Sequence, residues 1–231
     1  LLSRKIHCSE AVVYEEGGRT VCTVLVPENE AVLPALPQGA SEVFGRPMMA
    51  VERMDTKKPG FAAVCLKQAP KYDVVFGAAG LPKAGNHRSG DSHSLIHLSA
   101  DKFMLALCDG MGSGRLAQRE STLAVRLLEQ FLRAGVRPEN ALRTLSSALA
   151  LRGEDEIGFT TIDLLRLDLF PGEGDIYKYG AAPSYVKKGT AVSRVTGCAL
   201  PAALAGGEGG APDETHLNLE AGDCVLLISA G

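Results

Sequence analysis

The sequence lacks an excess of charge of either sign, which limits the partners it is suited to bind. Its 24 Lys and Arg residues stand against 27 Asp and Glu residues, giving a formal net charge of −3. Binding to the phosphate backbone of nucleic acid requires a clustered excess of cations. We therefore expect that nucleic acid is not a partner of this chain.

Long apolar runs are absent as well. The longest stretches include 21–26, 103–108 and 224–229, and each is far shorter than the ~18 residues needed to cross a bilayer. No charged segment followed by an apolar one opens the chain, so no secretory signal is predicted. We expect a cytoplasmic location and no membrane contact from this segment.

No two cysteines have the Cys-x-x-Cys spacing of a zinc or redox motif. The 6 cysteines are Cys8, Cys22, Cys65, Cys108, Cys198 and Cys224. Most of them lie inside apolar runs, which is typical of small buried side chains in a reducing compartment. The missing ligand spacing argues against a zinc site.

The first part of the chain contains a strand-like hairpin followed by prolines. Apolar runs at 12–14 and 20–26 flank a glycine turn, which predicts a pair of strands. Prolines recur between residues 27 and 47, which argues against a continuous element there. We interpret residues 1–69 as an accessory or regulatory segment and residues 70–231 as a separate domain.

The second part predicts strands, then two helices, then strands again. Short β-prone runs lie at 73–76, 94–98 and 103–108. Apolar residues then recur at helical spacing from 116 to 131, and a second helix is expected from Pro138, because proline suits a first helical turn. Strand character returns after residue 160. This order favours an α+β fold with an antiparallel sheet over alternating βαβ units.

Asp109 directly follows the run 103–108, which is apolar on both faces. Such a run is typical of a buried central strand, which would deliver Asp109 to the end of the sheet. A carboxylate there is costly to bury unless a cation or several donors meet it. From the residues alone, a metal site and an ordinary Asp-Gly turn at a helix entry are equally supported.

A second acidic turn, at 89–94, lies between runs expected to pair with the strand that ends at Asp109. If those hairpins close, Asp91 and Asp109 reach the same end of the sheet. Their oxygen ligands suit Mg²⁺ or Mn²⁺, which keep several waters and need few protein carboxylates. Two such ions ~3.5–4 Å apart orient a phosphate and turn a bridging water into a nucleophile.

An ordered series of short motifs runs through this second part. It comprises Ser-Gly-Asp-Ser-His-Ser at 89–94, Asp-Gly-Met-Gly-Ser-Gly at 109–114, Glu-Ser at 120–121, Phe-Thr-Thr-Ile-Asp at 159–163 and Leu-Pro at 200–201. The series resembles the stage II sporulation protein E family, whose members carry a metal-dependent phosphatase domain of the PP2C type. The resemblance extends from about residue 71 to residue 231, and the ordered series is more specific than any one motif.

This resemblance implies a PP2C-like β-sandwich of two mainly antiparallel sheets flanked by helices. It also implies a protein serine/threonine phosphatase, with a pair of Mn²⁺ or Mg²⁺ ions that hydrolyses phosphoserine or phosphothreonine without a covalent intermediate. By resemblance, Asp109 bridges both ions, the backbone carbonyl of Gly110 binds one, and Asp91 acts near the metals directly or through water.

Further residues are candidate phosphate or cleft contacts. His87 and Arg88 precede the first motif and are candidates to bind phosphate, with solvated loop residues as the alternative. Asp163 is a candidate to face the cleft, with a turn-facing or surface carboxylate as the alternative.

The resemblance also implies partners. The family acts on a phosphorylated anti-sigma factor antagonist, and dephosphorylation releases a sporulation sigma factor. It further implies a homodimer, and a parent protein anchored in the membrane by helices upstream of this segment.

Ala230 is the main departure from the family pattern. The family ends a strand with Ser-Asp-Gly, whereas this chain has Ser229-Ala230-Gly231. A missing carboxylate weakens a site for a hard divalent ion. We therefore expect a phosphatase domain that is impaired at one metal position and truncated at its C-terminal end. The alternative is an inactive phosphatase-like module that binds a phosphoprotein or a partner domain without turnover, and the sequence leaves open whether Ala230 is natural or engineered.

Overall fold

The computed structural model describes residues 6–29, 32–82, 89–112, 114–151, 159–197, 200–202 and 210–229. The chain divides into two compact units, Leu1–Pro70 and Lys71–Gly231. Within the described ranges, no helix is both long enough and apolar enough to cross a membrane.

The first unit is a four-stranded antiparallel sheet covered by one helix. Its elements are β1 (Glu10–Glu16), β2 (Arg19–Pro27), α1 (Val32–Phe44), β3 (Met48–Asp55) and β4 (Phe61–Gln68). The strand order is β1-β2-β4-β3, and the register Glu16↔Arg19 confirms the predicted hairpin with its glycine turn.

Helix α1 was not expected, because the prolines argued against a continuous element there. The structure shows that this expectation is wrong, since α1 continues through Pro37. Leu36 and Ala40 of the helix are buried against Val24 and Leu66 of the sheet. Burial of such side chains contributes about 1.5–3 kcal/mol each for a leucine-sized group, which offsets the backbone hydrogen bond that proline cannot donate.

In its described residues, the second unit contains two antiparallel sheets and two helices. Its elements are β5 (Asp91–Ser99), β6 (Lys102–Gly110), α2 (Arg115–Arg133), α3 (Pro138–Ala150), β7 (Thr160–Asp168), β8 (Glu173–Tyr179), β9 (Ser184–Lys188), β10 (Ala191–Val195), β11 (Asp213–Asn218) and β12 (Cys224–Leu226). The larger sheet has the order β11-β8-β7-β6-β5, and the smaller one has the order β10-β9-β12. This arrangement confirms the predicted α+β class and both predicted helices.

The strand predicted at 73–76 is wrong. The described backbone there belongs to no strand, and the Val75 side chain is 99% exposed. The N–H of the neighbouring Tyr72 donates to the carbonyl of Leu169, one residue beyond β7. A β-prone composition is not enough to form a strand, because a strand also needs a neighbouring strand to pair with.

The two faces of the larger sheet bury different sets of residues. Alternate residues such as Met104, Cys108 and Ile162 pack under α2 and α3. The intervening residues, such as Leu165 and Ile176, point toward the smaller sheet. Because side chains alternate along a strand, Asp109 and its neighbours on this second face lie between the sheets or at their end.

The cysteines differ sharply in accessibility, which gives a first prediction. Cys22 and Cys108 are buried, and burial raises the pKa of both thiols, whereas Cys224 is exposed. Because the thiolate is the reactive form, iodoacetamide is expected to modify Cys224 first and Cys108 only after unfolding, as measured by peptide mass spectrometry. Cys224→Ser should remove the fast reaction. Modification of Cys108 in the folded protein at the rate of Cys224 would contradict this packing.

Candidate metal centre

Asp91 and Asp109 lie directly opposite each other at one end of the larger sheet. Strands β5 and β6 pair antiparallel with Asp91 in register with Asp109. Side chains that are paired in this way project from the same face with their Cβ atoms about 4.5–5.5 Å apart, and two like charges there are destabilising. The structure thus confirms the expected meeting of the two residues, and the pairing favours a cation between their carboxylates.

The Asp91 carboxylate is held by two hydroxyl groups. Its Oδ2 atom accepts hydrogen bonds from Ser89 Oγ and Ser229 Oγ, both at 3.0 Å. Ser89 Oγ also accepts the backbone N–H of Asp91 at 3.2 Å. Ser229 follows β12, so the segment after β12 reaches this same carboxylate.

Asp109 is half-buried and is the penultimate residue of strand β6. Thr161 of β7 lies opposite it in register on the other side from Asp91. The neighbouring Thr160 Oγ1 donates to the backbone carbonyl of Asp109 at 3.0 Å. The backbone that carries the carboxylate is therefore fixed from both adjacent strands.

Glycine at position 110 is required by the close approach of α2. A Cβ on Gly110 would lie 2.1 Å from the backbone oxygen of Ala117. A Cβ on Gly90 would lie 3.0 Å from the Ala117 side chain and 3.3 Å from the Gly110 carbonyl oxygen. Both strand ends therefore pack directly on the first turns of α2, and the Gly110 carbonyl stays beside the acidic turn.

Hydroxyl groups join α2 to the edge strand β5. Ser92 Oγ lies 2.9 Å from Ser121 Oγ and 2.8 Å from Thr122 Oγ1. Ser121 Oγ also donates to the Gly90 carbonyl at 2.6 Å. These contacts explain the Glu-Ser motif at 120–121, because its serine ties the helix to the turn that precedes Asp91.

Asp163 lies in the core and not at the cleft. Its Oδ2 atom accepts a hydrogen bond from Lys178 Nζ at 2.7 Å. The side chains of both residues in this ion pair are 1% exposed. Ser184 Oγ also donates to this carboxylate. The cleft contact predicted for Asp163 is not supported by this placement, since no solvent-accessible surface of the carboxylate is available to a substrate.

Sequence reasoning missed Lys178 and Ser184. Lys178 lies two residues after Ile176, so both side chains point to the same face of the predicted strand. An apolar residue would be expected at such a position between the sheets. That pattern was the available signal. It did not name the partner, because the pairing of Asp163 with Lys178 depends on the exact register of the β7–β8 hairpin.

Other predicted residues lie outside the described part of the chain. His87, Arg88 and Ala230 are among these. Their assigned roles, as phosphate contacts and as the position of an expected metal ligand, stay predictions.

The donor set at the sheet end suits a hard divalent cation. It offers the carboxylates of Asp91 and Asp109 and the backbone carbonyl of Gly110, all of them oxygen donors. Mg²⁺ is commonly held by one or two carboxylates with waters completing an octahedron. Among the described residues, no cluster of three or more His, Cys, Asp or Glu side chains meets.

Comparisons with known proteins bear on the family and the fold of this chain. A family model described as stage II sporulation protein E matches residues 99–231. A stage II sporulation protein E from Priestia megaterium is 33% identical over 192 residues, which cover 83% of this chain and 32% of that protein. The chain thus spans about a third of that relative's length.

Solved structures extend the likeness to nearly the whole chain. The structure of the PP2C phosphatase domain and a fragment of the regulatory domain of SpoIIE from Bacillus subtilis is 30% identical. It covers 97% of this chain and 66% of its own, with a TM-score of 0.69. RsbX in complex with magnesium covers 93% of this chain and 75% of its own at 13% identity and a TM-score of 0.51, which shows the fold alone. The second unit has the PP2C fold.

Gly110→Ala tests the close packing of α2 on the acidic turn. The new methyl group would overlap the Ala117 backbone, and such overpacking costs about 1–3 kcal/mol. We expect urea unfolding to show a loss of that size. Gly77→Ala is the matched control, because nothing lies within 4 Å of its Cβ position. Equal stability of the two variants would contradict the described contact.

Proposed function

Because the chain belongs to the stage II sporulation protein E family, we propose that its second unit is a metal-dependent protein serine/threonine phosphatase domain. The observation that carries this proposal is the register of Asp91 with Asp109 at the end of a PP2C-type sheet. The proposed substrate is a phosphorylated anti-sigma factor antagonist, and the proposed place of action is the cytoplasm.

The proposed chemistry needs Mn²⁺ or Mg²⁺, with two ions in the complete site. When bound, such ions lower the pKa of a coordinated water and neutralise charge on the phosphate. Asp91, Asp109 and the Gly110 carbonyl would hold them. Ser89 and Ser229 would orient the Asp91 carboxylate by their hydrogen bonds, in the way that residues around metal ligands commonly do.

A second candidate function rests on Ala230. If the missing carboxylate leaves the ion pair incomplete, the domain would bind a phosphoprotein or a partner domain without turnover. The first unit, residues 1–69 in the sequence interpretation, is proposed to regulate the second, and the assembly is proposed to be a homodimer. Both functions share the Asp91 and Asp109 site and differ in whether phosphate is released.

Ala230→Asp tests whether this position limits metal binding. A carboxylate at residue 230 adds one negative charge to the proposed site, and hard-cation affinity rises with ligand charge. We expect Mn²⁺ binding, followed by electron paramagnetic resonance of the free ion, to tighten about tenfold or more. Phosphate release from a phosphoserine protein should become detectable or increase.

The matched control is Ala230→Asn, which adds an oxygen donor of similar size without a charge. It should tighten Mn²⁺ binding much less than the aspartate. If Ala230→Asp leaves phosphate release undetectable while a phosphoprotein still binds, the binding-module function is favoured. Identical Mn²⁺ binding by all three proteins would contradict a role for position 230.

Asp109→Asn, made in the Ala230→Asp protein, tests the central ligand. The substitution preserves size but removes the charge that holds the ions, so phosphate release should fall by orders of magnitude while the fold survives. Circular dichroism and a malachite green assay measure the two effects. An unfolded variant would indicate that the residue is needed for the turn, and an active one would contradict the proposed site.

A further inference from the structure

A buried ionic network lies between the two sheets, apart from the proposed metal ligands. Asp163 of β7 and Lys178 of β8 are each 1% exposed, with 2.7 Å between Lys178 Nζ and Asp163 Oδ2. Lys178 Nζ also donates to the Ala182 carbonyl and to Ser184 Oγ, both at 2.7 Å. One ammonium group therefore joins the larger sheet to the connection between β8 and β9.

Stability alone is a poor explanation for this network. Removing two charges from water is costly, and buried ion pairs are often replaced by apolar residues without loss of stability. The second carboxylate oxygen, Asp163 Oδ1, is buried and has no hydrogen-bond partner among the described residues. An unsatisfied buried acceptor adds a further penalty.

The network connects to the metal centre along two routes. Asp163 lies two residues from Thr161, which pairs with Asp109. Ser184 begins β9, and β9 pairs with β12 through Tyr185↔Leu226. Three residues beyond Leu226, Ser229 donates to the Asp91 carboxylate. Ser229 thus lies three residues beyond a strand that pairs with β9, and Lys178 contacts the start of β9.

We propose that Lys178 is a positioning residue for the metal centre. By binding Ala182 and Ser184 it fixes the start of β9, and through β9 it sets where β12 delivers Ser229 to Asp91. This inference rests on the proposed function, since it assumes that Asp91 and Asp109 bind a divalent ion. Lys178 itself contacts neither substrate nor ion.

The test separates positioning from stability by replacing the whole ion pair. In the double variant Asp163→Leu, Lys178→Met, apolar side chains fill the space, and the bonds to Ala182 and Ser184 are lost. We expect the unfolding midpoint to stay near that of the parent chain, whereas Mn²⁺ affinity falls about tenfold, as for loss of a residue that orients a ligand. Hydrogen exchange should speed up at 180–184 and 227–229.

Ile176→Val is the matched control, because Ile176 lies on the same strand and the same face as Lys178 but makes no polar bond. It should leave Mn²⁺ affinity and exchange at these segments unchanged. Ser184→Ala, which keeps the ion pair, should weaken Mn²⁺ binding in the same direction as the double variant. If the double variant fails to fold, the Mn²⁺ affinity of Ser184→Ala still tests the positioning role.

The outcomes distinguish this inference from the proposed function. A folded double variant, or Ser184→Ala, with parental Mn²⁺ affinity and parental exchange would overturn the positioning role and leave the proposed function standing. Absence of Mn²⁺ binding by the parent chain would overturn the metal site and the positioning role together. If Ile176→Val weakened Mn²⁺ binding as much as the double variant does, the positioning role would also be overturned. A general loosening of the core would then explain the result in both variants.

Discussion

The second unit depends on the pairing of β5 with β6, which sets Asp91 directly against Asp109. Two carboxylates in adjacent, paired positions repel each other unless a cation lies between them. Much of the surrounding structure serves this pair. Glycine at 110 lets α2 approach, and hydroxyl groups from Ser89 and Ser229 hold Asp91. The fold therefore fixes the two carboxylates side by side, which is the arrangement that the proposed divalent-ion site requires.

Much of this fold could be predicted from alternation and helical periodicity. The apolar run before Asp109 is a central strand, and the stripe from 116 to 131 lies in α2. Two local expectations were wrong because tertiary contacts, or the lack of them, outweighed local propensity. Helix α1 passes through Pro37 since its other face is buried on a sheet, and the β-prone run 73–76 has no neighbouring strand to pair with.

The candidate site was predictable only in part. Asp91 and Asp109 could be found because each sits at the end of a strand-like run, and strand ends meet once hairpins close. The contact from Ser229 joins residues far apart in sequence and depends on how the two sheets stack, so no periodicity encodes it. Asp163 and Lys178 are register partners on the adjacent strands β7 and β8, and only their burial depends on the smaller sheet. The buried lysine links the stacking of the sheets to the geometry of the acidic turn.

The most direct test of the central claim is a crystal structure of this chain grown with Mn²⁺, with anomalous diffraction recorded near the manganese edge. The account predicts an anomalous peak within bonding distance of the Asp91 and Asp109 carboxylates and the Gly110 carbonyl oxygen. A fully occupied Mn²⁺ peak elsewhere, with none between these two aspartates, would contradict it.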